Sequence, residues 1–389
     1  MGDRGLVWAF YPLYITHFLM GHPPFKLSKS RINDNVSKKL YNIFALIVIV
    51  LLILVYVVYR HQSVVNNPDL NHSALIKFIN MVYFAVVLGF TLVSYIWSAI
   101  QRTHTVKLWK KIIKIDNDMK SVGIRPNYTY ISRSSLRFLF CSLISLHTYI
   151  LYLLFSQEFH DKLQAFTSYG LLYFGVLNHT AVTCSFVTLM RFVNHILDVL
   201  IKKTESVLAN PDVRCDHHLR RIMCVYHRLF EISKLISQTF SVQLLLSFGI
   251  SFVMLTFQSY NVICSAYNGS PHLKYAFAGI IFVLMGVFEK FVIVVTCHKC
   301  MNQTTTLKLI LNKYMALNST NSSVHKELNA FALQLLHETF EIYAGNMFLI
   351  DLPIFTSVCG TATTYIILLW QTDTGVDLNY SMKKVFGVF

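Results

Sequence analysis

The sequence predicts an all-α membrane protein with seven transmembrane helices. Three observations predict it: 54% of the 389 residues are hydrophobic, only 14% are charged, and the apolar residues fall in runs long enough to cross a bilayer. Soluble domains carry about 25% charged residues, and a water-soluble chain of this length could not cover its surface with so few. The mean hydropathy of +0.49 agrees. Thirty Phe and 21 Tyr suit bilayer interiors and interfaces. A net charge of +15 would point to nucleic acid in a soluble protein. Here it asks instead which side of the membrane holds the charge.

The chain opens on a polar N-terminal segment, residues 1–41. Its one apolar stretch, Gly5–Gly21, is broken by Pro12 and His17 and followed by Pro23-Pro24. It lacks a basic n-region beyond Arg4 and a small-residue cleavage site, so it reads as an interfacial or packed amphipathic segment, not a secretory signal. The first span, residues 43–59, is 17 consecutive apolar or aromatic residues between Lys38-Lys39 and Arg60. About 20 helical residues cross a hydrocarbon core of roughly 30 Å. Six more stretches qualify: 75–100, 138–155, 165–193, 241–267, 273–297 and 353–371. They are too long and too evenly apolar for barrel strands of about 10 alternating residues, and helices are then the remaining way to satisfy the backbone in lipid. The fourth stretch, which carries Asn178, His179 and Arg191, is expected to tilt or project beyond the bilayer. With no internal repeat or low-complexity tract, residues 42–371 read as one seven-helix domain and 372–389 as a short tail.

Lysines and arginines in short loops favour the cytoplasm. Residues 1–41 and the connections after spans two, four and six hold 26 of the 34 basic residues. The opposite side holds four, Arg60, Lys162, Lys383 and Lys384. That asymmetry predicts a cytoplasmic N-terminus and an extracellular C-terminal tail. Rhodopsin-like G-protein-coupled receptors have the reverse orientation and carry Asp/Glu-Arg-Tyr and Asn-Pro-x-x-Tyr motifs in their helices; neither occurs here, since Asn67-Pro68 and Asn210-Pro211 both fall in loops. A secondary transporter, the other class with this composition, would show repeats and Gly/Pro-broken helices in corresponding halves. None is visible. An enzyme is not expected, because no His/Asp/Glu or Ser/Lys pair suited to catalysis lies within the spans.

The last span reads Thr361-Ala362-Thr363-Thr364-Tyr365, five apolar residues, then Gln371. This resembles the Thr-Tyr, five apolar, Gln-Phe signature of insect gustatory receptors. Ala344-Gly345-Asn346-Met347-Phe348-Leu349-Ile350-Asp351 is similar to the run that precedes that signature, and Gly21-His22-Pro23-Pro24-Phe25 to the family's cytoplasmic Gly-x-x-Pro-Phe segment. The seven-helix topology matches over the whole chain, the diagnostic residues over about forty positions near its C-terminal end. The sequence departs at Thr372, where the signature has Phe, and at Ile366, where the sugar-responsive branch tends to have Glu. The second departure favours a bitter, aversive or orphan ligand over a sugar.

The resemblance implies a ligand-gated, non-selective cation channel of the plasma membrane of chemosensory neurons. It further implies that four like or related subunits gather their seventh helices around a pore, and that a small-molecule tastant opens it. At about 100° per residue Thr361, Thr364 and Gln371 form one polar stripe, able to line a water-filled path; Tyr365 of the signature is grouped with them as pore or gate. The opposing interpretation is that the threonines bond back within the helix and Gln371 ends it in headgroup water. Asp351 and Pro353 suit the start of this helix. Outer-half residues expected to meet the ligand are Asn80, Tyr83, Tyr149, Tyr152, Tyr169, Tyr173, Gln258, Tyr260 and Tyr275. Tyrosines at that depth also form the ordinary interfacial belt. Glu289-Lys290 is an intramembrane charge pair whose members point in different directions, so each needs a partner on another helix. Cys297-x-x-Cys300 is half a zinc site without a second pair, and reads as free thiols or acylation sites. No metal, cofactor, nucleic acid or extracellular disulfide is expected. Given the orientation, Asn71, Asn379 and Asn268 are the sequons open to glycosylation, whereas Asn127, Asn302, Asn318 and Asn321 are expected on the cytoplasmic side.

Overall fold

The structure, a computed structural model, describes residues 74–124, 126–156, 162–209, 215–267, 273–317 and 322–386, with isolated positions ahead of them and only the backbone at some helical positions. Eight helices are described: α1 Ala74–Ile100, α2 Arg102–Ser121, α3 Tyr128–Ser156, α4 Lys162–Ala209, α5 Cys215–Tyr267, α6 Leu273–Leu317, α7 Ser322–His337 and α8 Leu352–Phe386. Most of the first predicted span, 43–59, lies outside the described residues, but Ile43, Leu46, Ile47, Ile49, Val50, Ile53 and Leu54 within it are helical. Two short antiparallel pairs are also described, β1 Lys26–Leu27 with β2 Ile32–Asn33, and β3 Tyr343–Ala344 with β4 Phe348–Leu349.

Among the described residues, four helical stretches are long and apolar enough to cross a bilayer: Tyr173–Ala209, Cys215–Ile263, Gly279–Ala316 and Leu352–Gln371. The chain is an all-α membrane-spanning protein. Helices α1 and α2 meet at a 64° bend, which length and composition alone would allow as one broken span. The side chains argue otherwise. Along α2, Leu108, Trp109, Ile112, Ile115 and Met119 are buried at helical spacing, while Lys110, Lys114 and Lys120 are exposed. A lipid-embedded half-span would hold those ammonium groups at a cost of about 2.5–3.5 kcal/mol each. Helix α2 is an amphipathic helix laid against α5, where Lys111 pairs with Glu231 and Arg228 with Asp118. Gly123, at φ 75°, ends it: Ile124 N donates to Met119 O at 2.9 Å, closing the last turn.

Helices α4, α5 and α6 have 48, 53 and 45 residues. At 1.5 Å per residue that is about 70–80 Å each, more than twice the hydrocarbon thickness. The basic connections after spans four and six are therefore helical continuations, not loops, joined by short links after Ala209 and Leu317. These continuations pack together with α7 as a base that shares one apolar core with the spanning stretches. Phe192, Ile196, Leu200, Leu219, Tyr226, Leu229, Ile236, Leu307, Leu311, Phe331 and Phe340 belong to one cluster and are fully or nearly fully buried. Polar contacts tie it across helices: Asn194 Nδ2 donates to Thr296 O at 2.8 Å, Gln303 Nε2 bonds Asp198, and Tyr226 OH donates to Glu338 O at 2.9 Å. Phe10, from the N-terminal segment, is fully buried with its ring edge-on to Trp109 at 5.0 Å and to Phe192 at 5.5 Å. That seats the packed alternative for the segment around Phe10.

The strand pair β3–β4 joins this base to α8. Gly345 and Asn346 both have positive φ, 58° and 55°, the sign pattern of the type I′ turn that tight hairpins favour. Gly345 has a second constraint: its amide donates to Ser241 O at 3.0 Å, and a Cβ there would sit 2.5 Å from Leu245 Cδ2. Gly345→Ala is therefore expected to cost about 1–2 kcal/mol from the left-handed backbone alone, with more from displacing Leu245. It should lower the melting temperature of the detergent-purified protein, whereas Asn346→Gly should leave it unchanged or raise it. Phe10→Ala should remove about 3–5 kcal/mol of core packing, read as a fall in the same melting temperature.

Candidate functional site

Helix α8 is the element on which the sequence places the pore. Asp351 Oδ1 accepts the Ile354 amide at 3.1 Å, with Pro353 in the first turn. The helix continues past Gln371 to Phe386. One face packs on the bundle. Phe355 meets Phe291 of α6 at 5.7 Å, Ala362 is buried, Tyr365 stands edge-on to Phe252 of α5 at 5.7 Å, and Leu369 and Trp370 enclose Tyr260. The other face is exposed and carries Thr361, Thr364, Ile367, Leu368 and Gln371. The predicted polar stripe thus lies together on the exposed face, and Tyr365 sits at its edge against α5. Each threonine also bonds back within the helix, Thr361 Oγ1 to Ser357 O at 2.8 Å, Thr363 to Cys359 O at 3.0 Å and Thr364 to Gly360 O at 3.2 Å. The hydroxyl protons are therefore spent inside α8, and the oxygen lone pairs are what such a face offers to water or a cation.

The outer-half candidates divide. Tyr173 OH lies 2.9 Å from His147 Nε2, and their rings are edge-on at 5.5 Å, linking α4 to α3. Tyr260 is fully buried against α8, and Gln258 on α5 lies beside Gly279 of α6. The backbones of Asn80, Tyr83, Tyr149, Tyr152, Tyr169 and Tyr275 are helical, on α1, α3, α4 and α6, but their side chains lie outside the described set, as does that of Asn379. Asn71 and Asn268 lie outside the described residues. Cys297 and Cys300 are free and buried, so neither thiol is open to acylation. No metal-binding cluster occurs among the described residues.

A cavity opens between α1, α4, α5, α6 and α8, and none of these candidates is among its described lining residues. Its volume is about 70 Å³, several times what one water requires. The walls are mostly apolar, among them Val87, Phe90, Phe248, Met254, Phe282 and Phe355, with Gly286 on α6 and one hydroxyl, that of Ser251. Its charged end is built by His179 of α4 with Glu289 and Lys290 of α6. Glu289 and Lys290 are the intramembrane pair the sequence singles out, and the required partner is His179. Its Nε2 lies 2.8 Å from Ser247 Oγ on α5 and 3.3 Å from Lys290 Nζ, and its Nδ1 lies 3.4 Å from Glu289 Oε1. Lys290 can only donate, so Nε2 accepts and the ring proton sits on Nδ1, facing the carboxylate. Glu289 and Lys290 also approach each other directly, at 3.9 Å. Hydropathy finds the charged residues; only the packing selects His179 from the chain's 16 histidines.

The fold is an all-α bundle of long helices whose final helix is half-uncovered. The seven-transmembrane chemosensory receptor family model matches residues 10–374, and the chain belongs to that family. A Drosophila melanogaster protein named for gustatory receptor 28b is 26% identical over 161 residues, 39% of this chain and 34% of the relative, so the match spans about a third of that protein's length. The solved insect olfactory receptor OR5 from Machilis hrabei superposes with a TM-score of 0.71 at 14% identity, covering 93% of this chain and 97% of that one. Its complex with eugenol gives 0.62 at 14% identity, covering 94% and 98%. This family is one of receptors, not of enzymes.

Removing one member of a buried pair strands the other, which typically costs about 3–5 kcal/mol, whereas replacing both is often close to neutral. Glu289→Leu alone should therefore lower the melting temperature sharply. The double change Glu289→Leu with Lys290→Leu should recover most of the loss, read by thermal unfolding in detergent.

Proposed function

We propose that the protein is a gustatory receptor acting as a ligand-gated, non-selective cation channel of the plasma membrane, opened by a bitter or otherwise aversive small molecule and not by a sugar. The observation that carries this reading is the division of α8. One face packs on α5 and α6, while the opposite face, with Thr361, Thr364 and Gln371, is left exposed on a helix that the rest of the chain covers only lightly. A spanning helix so lightly covered within one chain calls for neighbours, and four copies related by rotation would bring the polar stripe to a shared axis. Ile366 after the Thr-Tyr pair supports the non-sugar assignment. That a related fold, olfactory receptor OR5, has been solved with eugenol supports a small-molecule ligand.

The basic asymmetry supports an N-terminus in the cytoplasm, with the α4–α7 base beneath the membrane and the end of α8 outside. Gln371 then stands at the outer mouth, as a ring of amides able to coordinate cations without holding them tightly. One experiment tests orientation and pore together. In patch-clamped cells, Gln371→Cys and Thr364→Cys should make ligand-evoked currents sensitive to a charged thiol reagent applied from outside, with Ala362→Cys unaffected. Equal sensitivity of Ala362→Cys, or block only from the cytoplasmic side, would overturn the arrangement. Single-channel steps on ligand addition would exclude a carrier or a G-protein-coupled response.

A further inference from the structure

We propose that the cavity ending at Glu289 is a binding site for a small neutral molecule with an apolar body and one hydrogen-bond donor, such as a phenol or an alcohol. The hydroxyl would donate to Glu289 Oε1. This deepens the receptor reading above, on which its functional consequence rests.

Two observations independent of each other carry it. The first is the unsatisfied oxygen. Glu289 is buried and lines the cavity, yet its Oε1 accepts no hydrogen bond among the described residues; His179 and Lys290 approach it only at ion-pair distances of 3.4 and 3.9 Å. The donors that face this oxygen, His179 Nδ1–H and the Lys290 ammonium, stand too far off to form a good hydrogen bond; an under-bonded buried acceptor is costly, so an occupant supplying a closer donor is favoured. The second is charge balance. The carboxylate and the Lys290 ammonium cancel, and His179 is neutral in the tautomer its contacts require, so the charged end has no net charge. A cationic amine or an anionic acid would bring an uncompensated charge between walls of Phe, Met and Val, which such walls penalise heavily. A neutral donor satisfies the oxygen without unbalancing the pair.

The site also reaches the candidate pore. Phe355, Val358 and Cys359 of α8 form part of its wall, together with Phe282 on α6. An occupant therefore packs directly against the first turns of the helix whose far face is proposed to line the channel, and its presence bears on how α8 seats.

Gly286 gives the means of closing the cavity. It lies on α6 within the wall, and a Cβ there would meet nothing within 4 Å, so a larger side chain enters open space. With full-length protein in nanodiscs, calorimetric titration should show 4-ethylphenol binding to the wild type, with 4-ethylanisole, which lacks the donor, weaker by about tenfold or more. Tyramine and 4-ethylbenzoate should show no binding at the same concentrations. Gly286→Leu should abolish 4-ethylphenol binding with the melting temperature unchanged or raised, which separates the cavity from partition into lipid. Equal affinity for 4-ethylphenol and 4-ethylanisole, no 4-ethylphenol binding, tighter binding of tyramine, or unchanged affinity in Gly286→Leu would each overturn the proposal. Because titration does not depend on current, the two readings fail separately. Ligand-evoked channels without 4-ethylphenol binding would remove this site and leave the channel; binding without any evoked current would do the reverse.

Discussion

Helix α5 is the member on which the rest of the structure hangs. It runs through both the membrane and the base, and most other elements are fastened to it by a specific contact. Trp97 Nε1 of α1 donates to Thr239 O at 2.9 Å, α2 pairs through Lys111–Glu231, α7 through Arg220–Glu327, and the β3–β4 turn through Gly345 N to Ser241 O. Further along, Ser247 meets His179 of α4, and Phe252 and Tyr260 receive α8. A single continuous helix of 53 residues thereby links the base to the apolar, span-length half of the bundle. That matters because helix association within lipid lacks the hydrophobic driving force available in water. One apolar core runs from the helical continuations into the spanning stretches, with Phe186, Phe240, Leu244, Phe248, Ile293 and Val294 in the same cluster as Leu219, Leu229 and Leu311, so continuous helices carry its order along their length.

Within the membrane half the governing constraint is different. Every buried polar group there must find a partner or define a function. Thr91, Ser185 and Thr256 bond back to their own helices, and Gln243 reaches Ser98 on α1. The His179–Glu289–Lys290 cluster is only partly satisfied, and it coincides with the cavity. An arrangement that leaves a carboxylate oxygen bare in an apolar surround costs stability, and a receptor gains from that cost if an occupant relieves it.

Helices α1, α3, α4, α5, α6 and α8 are legible in the length and hydropathy of the apolar runs alone, because a roughly 30 Å hydrocarbon slab imposes a minimum run on any spanning helix. The same signal stops at the membrane surface. Residues 194–240 read as a basic connection, yet the described ones, 194–209 and 215–240, are all helix, since their apolar positions follow a helical period diluted by Lys, Arg and His. The polar stripe of α8 is legible from angular spacing, and so is the anomaly of Glu289-Lys290. The cavity is not, because its walls are ordinary Val, Phe, Met and Leu that nothing local separates from lipid-facing or core residues.

By itself, then, the sequence determined that the chain spans a membrane as helices, which residues share the face of the last helix, and where a charge sits against solvation preference. These follow from one-dimensional periodicity and from the cost of polar groups in hydrocarbon. Only the tertiary structure decided that His179 answers Glu289 and Lys290 from a distant helix, that Phe10 is a core residue, and that the unfilled space adjoins α8. The physical reason is that periodicity fixes a direction around one helix axis, whereas partners and voids depend on how separate axes cross, and that is set by packing summed over the whole bundle.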